Sequence, residues 1–382
     1  MEEAEDLASD TFLTALNTWP YRGVPENPVA WLYTVAKNKT RNYLAREKVF
    51  HQKVVSEIVN ISENEKDYID LSEASITDSQ LRMLFAICTP EIPAESQIGL
   101  ALRILCGFGI DEIANAFLTN KEAITKRLFR AREKLRSLRV PLEFPGEPEI
   151  PGRLRAVLTT LYLLFNEGYY SESNDAVLRE ELCIEAMRLA ELLLQHPKTN
   201  CPEVNALLAL MCFHASRFPA RLDQTGMPIL YDEQDETLWD QTLIAKGMSH
   251  LHRASVGNQL SKYHLEAGIA YWHTVKADTS EKWGNILQLY NHLLMLEYSP
   301  IAALNRTWAV AKIKGPYPAI AEAEKFQLDG NPFYFALLGE LHKDIDTTTA
   351  LNYFEKALSH AKTTADRRLL EKKIHQIRIS RK

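Results

Sequence analysis

Apolar side chains recur along this chain at intervals of three and four residues, the spacing of one face of an α-helix. Two stretches interrupt this period. Residues 62–78 carry six acidic side chains and one lysine, so they cannot bury much surface and we expect a solvated linker. Residues 140–151 contain four prolines, which end any helix. The pattern predicts an all-α protein built from successive helical blocks.

These interruptions divide the chain of 382 residues, a length that fits two or three domains of about 150 residues each. The predicted segments are a first helical block over residues 1–55, an acidic linker over 56–77, a second block over 78–139, a proline-rich linker over 140–150 and a larger block over 151–382.

Two helices joined by a short turn are predicted within the second block. Ile113, Ala114 and Phe117 form the apolar face of the first helix, whereas Ile124 and Leu128 begin the apolar face of the second, which continues through Ala131 and Leu135. Between the helices, Asn120 can cap the second one by accepting a hydrogen bond from a backbone amide of its first turn.

The spacing of Ala114, Leu118 and Ile124 is typical of a helix-turn-helix, with leucine where the turn glycine is usual. With Ile124 buried, the predicted outward side chains are Glu122, Lys126, Phe129 and Arg130, flanked by Lys121 and Thr125. A recognition helix presents such positions to the major groove, and the cations further along could contact phosphates: Arg132, Lys134 and Arg136. A charged surface helix without DNA contacts is the alternative.

The first block predicts an acidic helix beside a basic one. In "EEAEDLASDTFLTALNTW" the predicted inward residues are Ala4, Leu7, Ala8, Phe12 and Ala15, with the acids outward. In "NPVAWLYTVAKNKTRNYLAREK" the cations Lys37, Arg41 and Lys48 lie opposite Leu32, Ala36 and Tyr43. Acids beside DNA would repel phosphate. The pairing suits a protein that binds a basic protein surface and DNA together.

Charge is distributed in blocks within a chain whose net charge is −6. Residues 31–53 hold six Lys or Arg against one Glu, and residues 121–139 hold eight against two. The five cysteines show no C-x-x-C pair, and no apolar run approaches the roughly 20 residues of a membrane span. We therefore predict a cytoplasmic protein without a metal site or a cofactor. Enzyme motifs such as G-x-S-x-G and H-E-x-x-H are absent from the sequence, so we expect no catalytic residues.

The motifs of the two basic blocks occur in a specific order. "AEDLASDTFLTAL", "NPVAWLYTVAKNKTRNYLARE" and "IDEIANAFLTNKEAITKRLFRAREKLR" resemble regions 2 and 4 of bacterial sigma factors of the extracytoplasmic-function group in the sigma-70 family. Further on, "LYLLFNEGYY" and "LALMCFHASRFPARLDQTGMPILYDEQDETLWDQTLIAKGM" resemble the C-terminal extension of a subgroup with a tetratricopeptide-like helical domain. The resemblance implies promoter-specific initiation with core RNA polymerase, through its β′ and β subunits, and promoter DNA as partners.

The resemblance also implies roles for individual residues. The helix that docks on the polymerase β′ subunit would use Asp6, Leu7, Asp10 and Phe12. The helix that melts and recognises the minus-ten element would use Trp31, Lys37, Asn38, Arg41 and Asn42. The helix that recognises the minus-thirty-five element would use Lys121, Glu122, Thr125, Lys126, Arg127 and Arg130. A core aromatic is the alternative for Trp31. The family has a further helix ahead of the acidic motif, so either the sequence starts inside a longer protein or its region 2 lacks that helix.

The third block offers two candidate features. "YFALLGELHKDIDTTTALNYFEKALSHA" places Leu338, Gly339, His342, Ala350, Phe354 and Ala357 close to the positions of a tetratricopeptide helix pair, and Ala319 lies one repeat earlier. A long polar loop holds Arg217, Arg221, Asp223, Asp232, Asp235 and Trp239. Arg217, Arg221, Asp223 and Asp235 form either a polar ligand site or salt bridges that fix the loop. We expect this block to bind a regulatory protein or ligand.

Two functions therefore remain open from the sequence. The first is a sigma factor regulated through its C-terminal helical domain. The second is a tetratricopeptide-like scaffold that binds proteins and has a degenerate, non-functional sigma-like N-terminus. Binding to core polymerase distinguishes them.

Overall fold

The computed structural model describes residues 2–25, 28–29, 31–37, 39–40, 73–89, 91–105, 108–117, 119–138, 143–169, 178, 180–224, 226–257, 259–326 and 328–380. Across these residues the secondary structure consists of helices and contains no β-strand, as the spacing of apolar residues predicts. It divides into two compact units, residues 1–82 and 83–382.

The first unit begins with helix α1, Glu2–Arg22. Residues 28–29, 31–37 and 39–40 are also helical. The side of α1 that is covered carries Thr11 and Ala15, which are 3% and 4% exposed. Thr11 Oγ1 donates to the Leu7 carbonyl at 2.7 Å, so its burial leaves no unpaired hydroxyl.

The predicted inward side of α1 was wrong at two positions. Phe12 is 59% exposed, and Ala8 is exposed as well. Ala15 is buried as predicted. The buried side of α1 contains Thr11 and Ala15 rather than the large apolar residue Phe12. Helix α1 therefore exposes apolar surface within its own unit.

Helix α2 spans Glu73–Ile87, so it begins within the segment predicted as an acidic linker. It is followed in the second unit by α3, Ala94–Ile104, α4, Ile110–Ala116, and α5, Lys121–Leu138. Gly99 on α3 is needed for close packing, since a Cβ there would lie 3.2 Å from Leu128 Cδ2 of α5. Helices α3 and α4 therefore form the support against which α5 packs.

The remaining helices of the second unit follow one another with short connections. They are α6, Ile150–Tyr169; α7, Glu180–Gln195; α8, Pro202–Ala215; α9, Phe218–Arg221; α10, Gln241–Ala254; α11, Lys262–Trp272; α12, Ser280–Leu296; α13, Pro300–Lys314; α14, Pro316–Ala323; α15, Pro332–His342; α16, Thr347–His360; and α17, Thr364–Ser380. Helix α8 is the centre of this array, because nearly every residue from Val204 to Ala215 is buried.

The proline-rich segment packs against its neighbours. The Phe144 ring stacks on His196 with centroids 4.2 Å apart and lies 5.0 Å from Phe85. In addition, Arg153 of α6 donates to the Phe85 carbonyl at 3.4 Å. The second and third predicted blocks therefore share one compact unit, with α3 packed against α6.

Helices α15 and α16 form a closely packed antiparallel pair. A Cβ on Gly339 would lie 2.9 Å from Phe354 Cζ, so the helices approach where the glycine removes a side chain. Ala350, Phe354 and Ala357 are fully buried, as the repeat pattern predicts. His342 is only partly buried and stacks on Tyr353.

Two further observations concern the described part of the chain. No helix there is both long enough and apolar enough to cross a membrane. Cys88, Cys183 and Cys212 are buried thiols outside any disulfide, and burial raises the pKa of Cys88 to about 12. Such thiols are unreactive at neutral pH because the thiolate is the nucleophilic form.

Candidate nucleic-acid interface

Helix α5 is anchored along one side by apolar contacts. Ile124 is 0% and Leu128 1% exposed, against α3 and α4. Its N-terminus is capped as predicted, because Asn120 Oδ1 accepts a hydrogen bond from the Ala123 amide at 2.8 Å. At the start of α4, the Gly109 amide donates to Glu112 Oε2 at 2.6 Å. These contacts fix which side of α5 faces outward.

The outward side of α5 is the one that the spacing predicts. The exposed residues there are Lys121, Glu122, Thr125, Lys126, Phe129 and Arg130. The helix holds seven basic residues against two acidic ones, and its 18 residues span about 27 Å at 1.5 Å per residue. The arrangement can supply cations along a phosphate backbone and side chains to base edges.

Arg127 and Lys121 of α5 pair with acidic side chains of α3 and α4. Arg127 is half-buried; its Nη2 lies 3.0 Å from Glu95 Oε2 and its guanidinium lies over the Phe117 ring at 5.4 Å. Lys121 Nζ lies 2.9 Å from Asp111 Oδ2, with both side chains mostly exposed. Arg127 therefore holds α5 to α3 and to Phe117 after α4, a role that its place in a basic run did not indicate.

Further along α5, Lys134 and Arg136 are exposed. Arg136 Nη1 lies 2.6 Å from Glu133 Oε1, a pair one helical turn apart on the surface. Exposed pairs of this kind contribute little to stability, about 0 to 1 kcal/mol. A phosphate can therefore replace Glu133 as the partner of Arg136 at small cost.

The candidate polymerase-docking residues lie on the uncovered side of α1. Asp6 and Asp10 are exposed, Leu7 is half-buried and Phe12 is exposed. The same helix exposes two further large apolar residues that were not predicted as docking residues, Leu13 at 58% and Leu16 at 71%. Spacings of three and four residues place Phe12, Leu13 and Leu16 on one side. We call these three residues the α1 apolar patch.

The candidate minus-ten residues are described in part. Trp31 is half-buried, and its ring packs edge-on against Trp19 with centroids 5.5 Å apart. Lys37 is exposed. Nearby, Lys39 Nζ lies 2.9 Å from the Asp10 carbonyl oxygen, which ties this helical segment to α1. Asn38, Arg41 and Asn42 lie outside the described residues, as does Leu118 of the predicted turn.

The polar loop of the second unit differs from the expected pairing of arginines with aspartates. Arg217 donates to Tyr169 Oη at 3.0 Å and lies over the Tyr231 ring, while Arg221 donates to the Tyr169 carbonyl at 2.9 Å. The aspartates accept backbone amides of local turns: Asp223 from Met227, and Asp235 from Thr237. Among the described residues, the hydroxyl and carbonyl oxygens of Tyr169 and the rings of Tyr169 and Tyr231 hold the two arginines, and the choice between a ligand site and salt bridges stays a prediction.

Lys282 completes this cluster and was not predicted from the sequence. Its side chain is 1% exposed, with Nζ 2.9 Å from Tyr231 Oη and 2.6 Å from the Val275 carbonyl. It comes from α12, far from the loop in sequence. A buried lysine in an amphipathic helix has no local signal that separates it from a surface lysine.

Comparisons with known proteins identify the N-terminal unit. A family model for sigma-70 region 2 matches residues 1–49. A second model, described as a family of unknown function (DUF6596), matches residues 153–255 in the extension. No solved structure matches the chain.

A curated relative covers almost the whole chain. It is an uncharacterized protein from Rhizobium meliloti (strain 1021), 33% identical over 373 residues, which covers 96% of this chain and 88% of the relative. The chain belongs to the same family as that protein, and its residues 1–49 match the model of sigma-70 region 2. The region 2 match supports a sigma-factor-like function for the N-terminal segment.

Proposed function

We propose that the protein is an RNA polymerase sigma factor of the extracytoplasmic-function type, which directs promoter-specific initiation of transcription. One observation carries the proposal: a sigma-70 region 2 match precedes a helix-turn-helix whose basic side is exposed. The polymerase performs the chemistry, and this subunit supplies promoter recognition and melting. A scaffold with one basic surface helix would not require a region 2 segment followed by a helix-turn-helix.

Helix α5 would recognise the minus-thirty-five element. Glu122, Lys126 and Arg130 extend from the side opposite Ile124, where they can reach base edges in the major groove. Lys121 and Thr125 flank them at the N-terminal end. Further along, Arg132, Lys134 and Arg136 would contact phosphates, which positions the helix without conveying sequence. Arg127 contributes by holding α5 in place, since Glu95 and Phe117 already engage it.

The first unit would bind core polymerase and the minus-ten element. Asp6, Leu7, Asp10 and Phe12 would dock on the β′ subunit, and the exposed Leu13 and Leu16 extend that surface. An exposed apolar patch rimmed by acids is typical of a protein-binding site. The minus-ten element would be bound by Trp31, Lys37, Asn38, Arg41 and Asn42, of which Trp31 has a packing role with Trp19 as well.

The helices from α6 onward would form a tetratricopeptide-like regulatory extension that binds a protein or a ligand. The close α15–α16 pair, with Gly339 facing Phe354, supports a repeat-like helix pair. Because α3 packs against α6 within one unit, the extension has a direct physical route to the helices that hold α5. A change of packing at α6 would alter how α5 is presented.

Run-off transcription with purified core polymerase tests the proposal. We expect the full-length protein to bind core polymerase in pull-down and to direct initiation from a restricted set of promoters. Failure of both pull-down and initiation would contradict the proposal and favour the scaffold function. Pull-down without initiation from any promoter would contradict promoter recognition alone.

A further inference from the structure

A cavity of about 520 Å³ lies inside the second unit, where several helices of the extension meet. Its walls come from α6, α8, α11, α12 and α13, and much of the lining is apolar, including Leu210, Ile269 and Leu293. Pockets for small organic molecules typically measure about 300–1,000 Å³. The cavity is therefore large enough for a metabolite.

Two acidic residues line this cavity, Glu266 of α11 and Glu297 after α12, and Glu266 is the one that burial affects most. Tyr162 Oη donates a hydrogen bond to Glu266 Oε1 at 3.3 Å. Burial raises the pKa of the Glu266 carboxyl to about 7, and the Tyr162 bond and the Lys262 charge oppose this only in part. Among the described residues, no cationic side chain forms an ion pair with Glu266. The carboxylate thus lacks the counter-ion that buried acids normally have.

Lys262 lines the same cavity but is engaged elsewhere. Its Nζ lies 3.2 Å from Glu297 Oε2 and 5.3 Å from the centre of the Tyr162 ring. Because Glu297 balances the lysine charge, the pair leaves the charge of Glu266 uncompensated. The ionised cavity is therefore net negative.

The two histidines of the cavity add no positive charge. Burial, reinforced by Arg217 and Arg221, holds the pKa of His214 well below its usual range. Burial and the charges of Arg217 and Lys282 lower the pKa of His273 to about 3. Both imidazoles are neutral at pH 7, and their buried Nδ1 atoms have no hydrogen-bond partner in the described structure.

We infer that this cavity binds a small organic ammonium ion, whose charged group pairs with the Glu266 carboxylate while its hydrocarbon part contacts Ile269 and Leu293. An anion would place a second negative charge beside Glu266, whereas a cation supplies the counter-ion that the ionised form lacks and so favours ionisation of a carboxyl whose pKa burial has raised. The amides of Asn166 and Asn305 line the cavity and can bond further polar groups of the ligand. The site is independent of the proposed sigma function, because it needs neither polymerase nor DNA.

Three probes of nearly equal shape test the charge preference on the full-length protein. They are tyramine, the alcohol 2-(4-hydroxyphenyl)ethanol and the acid 3-(4-hydroxyphenyl)propionate, with binding measured by saturation-transfer NMR and calorimetry. We expect tyramine to bind about tenfold or more tightly than the alcohol, a difference of about 1.4 kcal/mol, and the acid to bind least. No tyramine binding at millimolar concentration, equal binding of amine and alcohol, or preference for the acid would overturn the inference.

Substitution then locates the site. Glu266→Gln keeps the size and the hydrogen bond of the side chain but removes the charge, so we expect the preference for tyramine over the alcohol to disappear. The matched control is Glu355→Gln on α16, whose carboxylate is exposed and bonded to Arg378, and it should keep the preference. An unchanged preference in Glu266→Gln would show that amines bind elsewhere. The preference of the unmodified protein remains decisive if the variant misfolds.

Discussion

Helices α1 and α5 each bury one side, yet the sides that they expose differ in chemistry. α1 exposes the α1 apolar patch beside Asp6 and Asp10, whereas α5 exposes a row of cations. Apolar surface next to acids fits a protein partner, and repeated cations fit phosphate. The chemistry of the exposed side of each helix, rather than that of its buried side, therefore indicates the class of partner.

The largest expected effect is on the free energy of unfolding, which should respond to a substitution on the buried side of α5 and not to one on its exposed side. Ile124→Ala removes a fully buried side chain, so it should lower the free energy of unfolding by about 2–5 kcal/mol. Lys126→Ala, two residues away and exposed, should change it by no more than about 0.5 kcal/mol. Urea denaturation followed by circular dichroism measures both. Equal losses would show that Lys126 is part of the packing of α5.

The next largest effect is expected from a charge within the α1 apolar patch, which should strongly weaken polymerase binding. Leu16→Asp places a carboxylate at a side chain that is 71% exposed, so folding should be little affected, while desolvation of the charge at an interface should cost about 2 kcal/mol or more. We expect at least about a thirtyfold weaker affinity for core polymerase by fluorescence titration. Val256→Asp, at a site 69% exposed in the second unit, is the matched control and should bind normally. Unchanged affinity of Leu16→Asp would remove the α1 apolar patch from the interface.

A smaller effect is expected on the DNA side. Lys126→Ala should weaken use of the minus-thirty-five element by about 1–3 kcal/mol if the lysine contacts a base edge, and binding to core polymerase should be unaffected. Lys325→Ala, an exposed lysine between α14 and α15, is the control. Holoenzyme binding to promoters with intact and scrambled upstream elements distinguishes base recognition from phosphate contact. A loss that is equal on both promoters would reassign Lys126 to the phosphate backbone.

The smallest expected effect concerns the cap that starts α5. Asn120→Ala removes the acceptor for the Ala123 amide and should lower the free energy of unfolding by about 1 kcal/mol, whereas Asn120→Ser should be close to neutral. Chemical denaturation measures both variants. An equal loss in the serine variant would mean that the side chain of Asn120 acts through contacts other than the cap.

The sequence predicts α5 well because its determinants are local. The recurrence of Ile124 and Leu128 fixes the buried side, and Asn120 fixes the start. The predicted inward side of α1 was wrong at Ala8 and Phe12, because the spacing of apolar residues alone cannot distinguish a side covered by the chain from one left for a partner. Thr11 is buried instead because its hydroxyl bonds the Leu7 carbonyl within the helix.

Sites assembled from distant segments could not be predicted. Glu266 faces a cavity to which five helices contribute, and Tyr162 reaches it across 104 residues of sequence. The loop arginines were recognised as a cluster, but their aromatic partners Tyr169 and Tyr231 were not, because ring contacts depend on the packing of separate helices. The roles of the predicted DNA-contact and polymerase-contact residues remain predictions.

Comparing two variants in one assay tests whether α1 and α5 serve different partners of one initiation complex. Leu16→Asp and Lys126→Ala are compared in run-off transcription at increasing concentrations of protein over fixed core polymerase. The account predicts that a large excess restores initiation for Leu16→Asp, since only its affinity for polymerase is reduced, whereas Lys126→Ala stays impaired at saturation on promoters that depend on the upstream element. The same response from both variants would contradict it.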